Sequence, residues 1–207
     1  MSQTAIGPGA KAGGVAPLAA RKRDRRIPGE EGTWVFLFGD MLVFGVFFAS
    51  FMYERSRAPE TFDESRQTLS ITIGLINTLV LLTSSLFVVT AIRAIRSSER
   101  FTARLLLVGA TMCGLAFVGL KAVEYTMKVS EGHTPGQNNF YLYYFILTGL
   151  HLFHVLIGIT VLLLLLAQAG RTDFGTKRMA MVEGGACFWH LVDLLWIVLF
   201  PLLYLVS

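Results

Sequence analysis

Apolar residues in this chain fall in five long blocks separated by short polar stretches. The blocks run approximately over 33–53, 68–92, 102–127, 139–167 and 181–206. Each reaches the roughly 20 residues that a helix needs to cross a hydrocarbon core about 30 Å thick. The second block carries no charged residue between Gln67 and Ile92. Its strand-forming Val and Ile do not alter the reading. A lone strand leaves its backbone groups unpaired in lipid, and the blocks are too long and too evenly apolar for barrel strands. The pattern predicts an all-α polytopic membrane helix bundle with five transmembrane helices over residues 33–207. Residues 1–32 are rich in Gly and Ala and hold the basic run Arg21-Lys22-Arg23-Asp24-Arg25-Arg26. They are expected to form a disordered basic tail. The first apolar block is too long for the core of a signal peptide and lacks a small-residue cleavage pattern after it.

Composition agrees with lipid as the solvent. Hydrophobic residues make up 54% of the 207 and charged residues 15%, against about 25% charged in ordinary soluble domains; mean hydropathy is +0.59. The net charge of +4 would suggest nucleic acid in a soluble protein. Here the basic residues flank apolar blocks, so they report topology and no nucleic-acid partner is expected. The tail and the second and fourth connections hold thirteen Lys and Arg, and the first and third connections hold four (Arg55, Arg57, Arg66 and Lys128). The alternation places the N-terminus in the cytoplasm and the C-terminus on the far side.

Ionisable groups inside the blocks are costly, about 2.5–3.5 kcal/mol each on the insertion scale, and so are functional candidates. Asp40 lies two turns into the first block. Lys121 and Glu124, His151 and His154, and His190 and Asp193 are each three residues apart, with Glu183 nearer the end of its span. That spacing puts both members of a pair on one helix face. Lys121 and Glu124 are expected to form a local ion pair that snorkels to the interface. The His190/Asp193 stripe is expected to face the His151/His154 stripe and fix helix packing. The histidines as haem or metal ligands are the competing reading, but neither Cys113 nor Cys187 joins them and no Glu-x-x-His pattern is present. Glycines at 109, 114, 119, 149, 158, 184 and 185 allow close helix approach. An independent proton or solute carrier is a further alternative, although matching broken helices in two halves are missing.

Four motifs in order resemble subunit III of haem–copper oxidases. FILTGLHLFHVLIG at 145–158 is similar to that family's T-G-x-H-x-x-H-V-x-x-G helix, and WHLVDLLW at 189–196 to its W-H-x-V-D-x-x-W helix. Glu124-Tyr125 and the second-helix pairs Asn77-Thr78 and Ser84-Ser85 also fit. The resemblance implies a non-catalytic subunit of the bacterial inner (plasma) membrane, docked beside a catalytic subunit I. It implies no redox cofactor in this chain, with haem and copper in partner subunits. Structural phospholipids are expected in a cleft, together with a role in proton uptake and in stability of the catalytic subunit. The five spans look like the short bacterial form, without two extra N-terminal helices. Asp40 stands where the family places a carbodiimide-reactive Glu, as Gly39-Asp40 in place of Ser-Glu. With the approach Pro28-Gly29-Glu30-Glu31-Gly32-Thr33-Trp34, it looks more like the branch associated with nitric oxide reductase. Glu124, His151, His154, His190 and Asp193 are expected to serve polar helix packing.

Overall fold

The computed structural model describes residues 31–169 and 176–206. The tail expected over 1–32 lies outside the described residues except Glu31 and Gly32, which already open the first helix. Six helices follow in order among the described residues: α1 (Glu31–Arg57), α2 (Pro59–Gln67), α3 (Ile71–Arg96), α4 (Arg100–Ser130), α5 (Asn139–Gln168) and α6 (Thr176–Phe200), closed by a wide turn, Pro201–Leu205. Five are long and apolar enough to span a membrane, the last continuing through the closing turn (Met179–Leu205). No strand occurs among the described residues. The fold is the expected five-span all-α bundle.

Local chemistry sets the helix ends. Ser70 caps α3 by accepting the Ile73 N–H at 3.4 Å, and Asn138 caps α5 by accepting that of Tyr141 at 3.0 Å. Such caps satisfy donors that the first helical turn leaves free. Gly132, at φ +86°, turns the chain after α4 through a conformation that costs a glycine little.

Helix α2 is the element that hydropathy missed. Pro59 sits in its first turn with Glu60, where a missing N–H and a negative charge are both favourable. Its sequence, PETFDESRQ, is too polar to register as a span. It is held by Phe62, 2% exposed, whose ring meets those of Phe51 and Phe140, and by Ser65, whose hydroxyl accepts from Asn138 at 2.9 Å.

Helices α3, α4, α5 and α6 form a ring, each packed on the next and closed by α3 against α6; α1 rests on α5 and α6. Small residues let the backbones approach, as close packing between spanning helices requires. A methyl group on Gly158 would lie 2.6 Å from the Trp189 ring, and one on Gly74 2.7 Å from Phe200. The interior holds Trp189, Trp196, Tyr144, Tyr204 and Phe117, all fully buried. Outward positions such as Leu42, Leu86, Leu105 and Leu164 are exposed and apolar, as a lipid-facing surface demands.

Candidate functional site: a polar interior and a carboxylate–histidine pair

Asp40 and His154 meet where α1 rests on α5. Phe44, one turn beyond Asp40 and 1% exposed, packs its ring against that of His154 and so holds the two helices in register. The His154 Nδ1 lies 2.8 Å from the Leu150 carbonyl. A carbonyl only accepts, so Nδ1 carries the hydrogen. Nε2 then points to Asp40 Oδ1 at 3.5 Å. Both side chains are largely buried, 9% and 17% exposed, so the imidazole edge and the carboxyl face each other across the α1–α5 seam. The other oxygen of Asp40 is buried without a hydrogen-bond partner among the described residues.

Lys121 and Glu124 overturn the snorkelling expectation. Their side chains are each 1% exposed, with Nζ 2.8 Å from Glu124 Oε2. Instead of reaching an interface, the pair turns inward and is completed by Tyr204 of the closing turn. The Tyr204 hydroxyl donates to Glu124 and accepts from Lys121 at 2.9 Å. The rings of Tyr125, Tyr144, Trp196 and Tyr204 lie 4.9–5.8 Å from the ammonium. A desolvated charge is tolerable when paired, hydrogen-bonded and faced by aromatic π-systems. No local signal pointed to Tyr204, which joins from 80 residues further along the chain.

The expected match between the two histidine stripes is also corrected. His151 and His154 lie about 60° apart around α5 at ~100° per residue, enough to place them at different seams. His151 sits inside the ring against Phe117 and Trp196, and His154 faces α1. His190 pairs with α3, its Nδ1 2.6 Å from the Ser85 hydroxyl, with Asp193 buried one turn along. Ser85, Thr78 and Asn77 had entered the sequence argument as motif residues only. Thr78 receives the Trp196 indole N–H at 3.0 Å, and Asn77 is fully buried. Neither ring nitrogen of His151 nor the Asn77 amide has a hydrogen-bond partner among the described residues.

Together these features define a multi-pass membrane protein whose polar groups face its own interior and two helix seams, α1–α5 and α3–α6. The model for cytochrome c oxidase subunit III matches residues 29–207, and the chain belongs to this haem–copper oxidase subunit III family. It is 28% identical over 179 residues to the probable quinol oxidase subunit 3 of Staphylococcus haemolyticus, across 85% of this chain and 88% of that protein. The proteins of the same name from Staphylococcus epidermidis and Staphylococcus aureus are 27% and 26% identical over 176 residues, with the same shares covered. Membership implies a complex with a catalytic subunit I.

Proposed function

We propose that this chain is a non-catalytic subunit of a bacterial terminal oxidase, seated in the inner membrane with its N-terminus cytoplasmic. In this reading it stabilises catalytic subunit I and supports its proton uptake. The observation that carries the proton role is the largely buried contact between the Asp40 carboxyl and the His154 imidazole, 3.5 Å apart. Asp40 is the tenth of the 27 residues of α1, in the half nearer the side that the thirteen-to-four distribution of Lys and Arg assigns to the cytoplasm. A carboxyl group and an imidazole facing each other at this distance form a site that can accept a proton and release it. Haem and copper belong to the partner subunits. The test is turnover of the purified complex followed over many cycles: Asp40→Asn should assemble but lose activity faster than the parent complex. Unchanged endurance in Asp40→Ala would reduce the couple to packing.

The electron donor follows the relatives in this proposal. The staphylococcal relatives are probable quinol oxidase subunits, which favours a quinol, whereas the family takes its name from cytochrome c oxidase, which favours cytochrome c. A second reading, an accessory subunit of nitric oxide reductase, is favoured by Gly39-Asp40 in place of Ser-Glu. Assaying one purified complex with quinol and with reduced cytochrome c, against oxygen and against nitric oxide, separates the three.

An apolar groove of about 480 Å³ runs between α1, α5 and α6, lined by Phe36, Val161, Leu165, Met181 and Phe188 among others. We assign it to a structural phospholipid chain. Val161→Trp should fill it and lower the phospholipid that mass spectrometry finds with the complex.

A further inference from the structure

His190 stands eleven residues into the 27-residue span Met179–Leu205, about 16 Å from its start at ~1.5 Å per residue. That depth is close to the membrane midplane. Its Nδ1 is engaged by the Ser85 hydroxyl at 2.6 Å. Its Nε2 has no hydrogen bond to any described residue, and the side chain is only partly covered. Asp193, buried one turn along the same helix, approaches Ser85 as well, but neither of its carboxyl oxygens has a hydrogen-bond partner among the described residues, so it leaves that nitrogen open.

The surroundings make the open nitrogen informative. On α6, Leu194 and Ile197 follow His190 at one and two turns; on α3, Leu82 precedes Ser85 by one turn. The three are 45–48% exposed. The α3–α6 seam therefore presents an apolar strip with an imidazole edge at its centre. The neighbouring α5–α6 seam is covered by α1, and no helix of the described chain covers α3–α6. Acyl chains offer no donor or acceptor at this depth, and headgroups lie a half-membrane away. A polar group left there unpaired carries the full penalty of lost hydration.

We propose that the α3–α6 seam is the docking surface for a transmembrane helix of the catalytic subunit, which supplies a hydrogen-bonding group to His190 Nε2. The proposal rests on the subunit III reading. Leu82, Leu194 and Ile197 supply the packing, and the single polar contact fixes the depth at which the helices meet.

The test uses the whole complex in its membrane, with a photoreactive side chain at Leu194 or, as a control on the outward face of α4 away from the seam, at Val123 (54% exposed). Leu194 should capture the haem-bearing partner at least ten times more efficiently than Val123. Equal or reversed yields, or capture from Leu194 of lipid alone or of a second copy of this chain, would overturn the docking surface while leaving the subunit reading in place. Failure of the unsubstituted chain to bring down any haem-bearing partner would overturn both. In parallel, His190→Leu should lower retention of the chain in the detergent-solubilised complex about tenfold, and His190→Gln should restore it. Leu82→Trp, which leaves the imidazole untouched, should also weaken retention; normal retention in both His190→Leu and Leu82→Trp would count against the seam.

Discussion

At the scale of single residues, the buried Lys121–Glu124–Tyr204 cluster is the sharpest lever on stability. Removing one member of a buried ion pair leaves the other uncompensated, at a cost of about 3–5 kcal/mol, whereas replacing both members is far milder. Lys121→Met should therefore lower the unfolding midpoint in detergent strongly, and adding Glu124→Gln should recover much of the loss. Tyr204→Phe removes hydrogen bonds to charged groups, about 1.5–3 kcal/mol, and should fall between them. The spacing of Lys121 and Glu124 was legible in the sequence; their depth was not, because it depends on a tyrosine 80 residues away. Outside the membrane, Glu131 is held below the usual carboxylate range by its hydrogen bond from Lys128. A depressed carboxyl contributes at neutral pH and loses that contribution as pH falls through its folded-state value. The 131–138 loop should thus lose amide-hydrogen protection, measured against the intrinsic exchange rate at each pH, as pH falls through the carboxylate range. In Glu131→Gln that acid dependence should be blunted.

At the scale of helices, what the sequence revealed divides by range. The five spans were legible because hydrophobic length is a local property, and their observed bounds lie within about four residues of the apolar blocks at either end. Helix α2 was not legible, since its anchors are contacts made by Phe62 and Ser65 rather than a run of apolar residues. The glycines were visible but not their roles, because only the facing side chain decides. Gly158 presses on Trp189, whereas Gly119 has nothing within 4 Å of where a methyl group would sit. Overpacking costs roughly 1–3 kcal/mol, so Gly158→Ala should lower thermal stability by that order. Gly119→Ala should leave the isolated chain unchanged. A matched pair of melting curves in one detergent reads the contrast, and equal shifts would show that the α5–α6 contact yields without strain.

For the molecule as a whole, the polar groups are sorted by seam, and the sorting bears on which of them affects turnover. Lys121, Glu124 and Tyr204 lock the ring from within; Ser85 and His190 mark its α3–α6 side; Asp40 and His154 lie where α1 meets α5. Asp40 was legible as a charge in lipid and as a family position. Its partner was not, since pairing with His154 depends on α1 crossing α5 rather than on any spacing along the chain. The location makes separable predictions. Asp40→Asn keeps the size of the side chain, and its amide can donate a hydrogen bond to Nε2 but cannot hold and release a proton as a carboxyl can. Assembly and lipid content should therefore match the parent, while sustained turnover declines. Asp40→Glu keeps a titratable oxygen and should retain most of that endurance. If the couple only packs α1 against α5, the order reverses: the longer Glu would disturb the seam beside Phe44 more than Asn does, and lipid content would fall with it. Measuring turnover decay and bound phospholipid in the same preparations distinguishes proton holding from packing, because the first predicts loss of endurance at constant lipid and the second predicts that both change together.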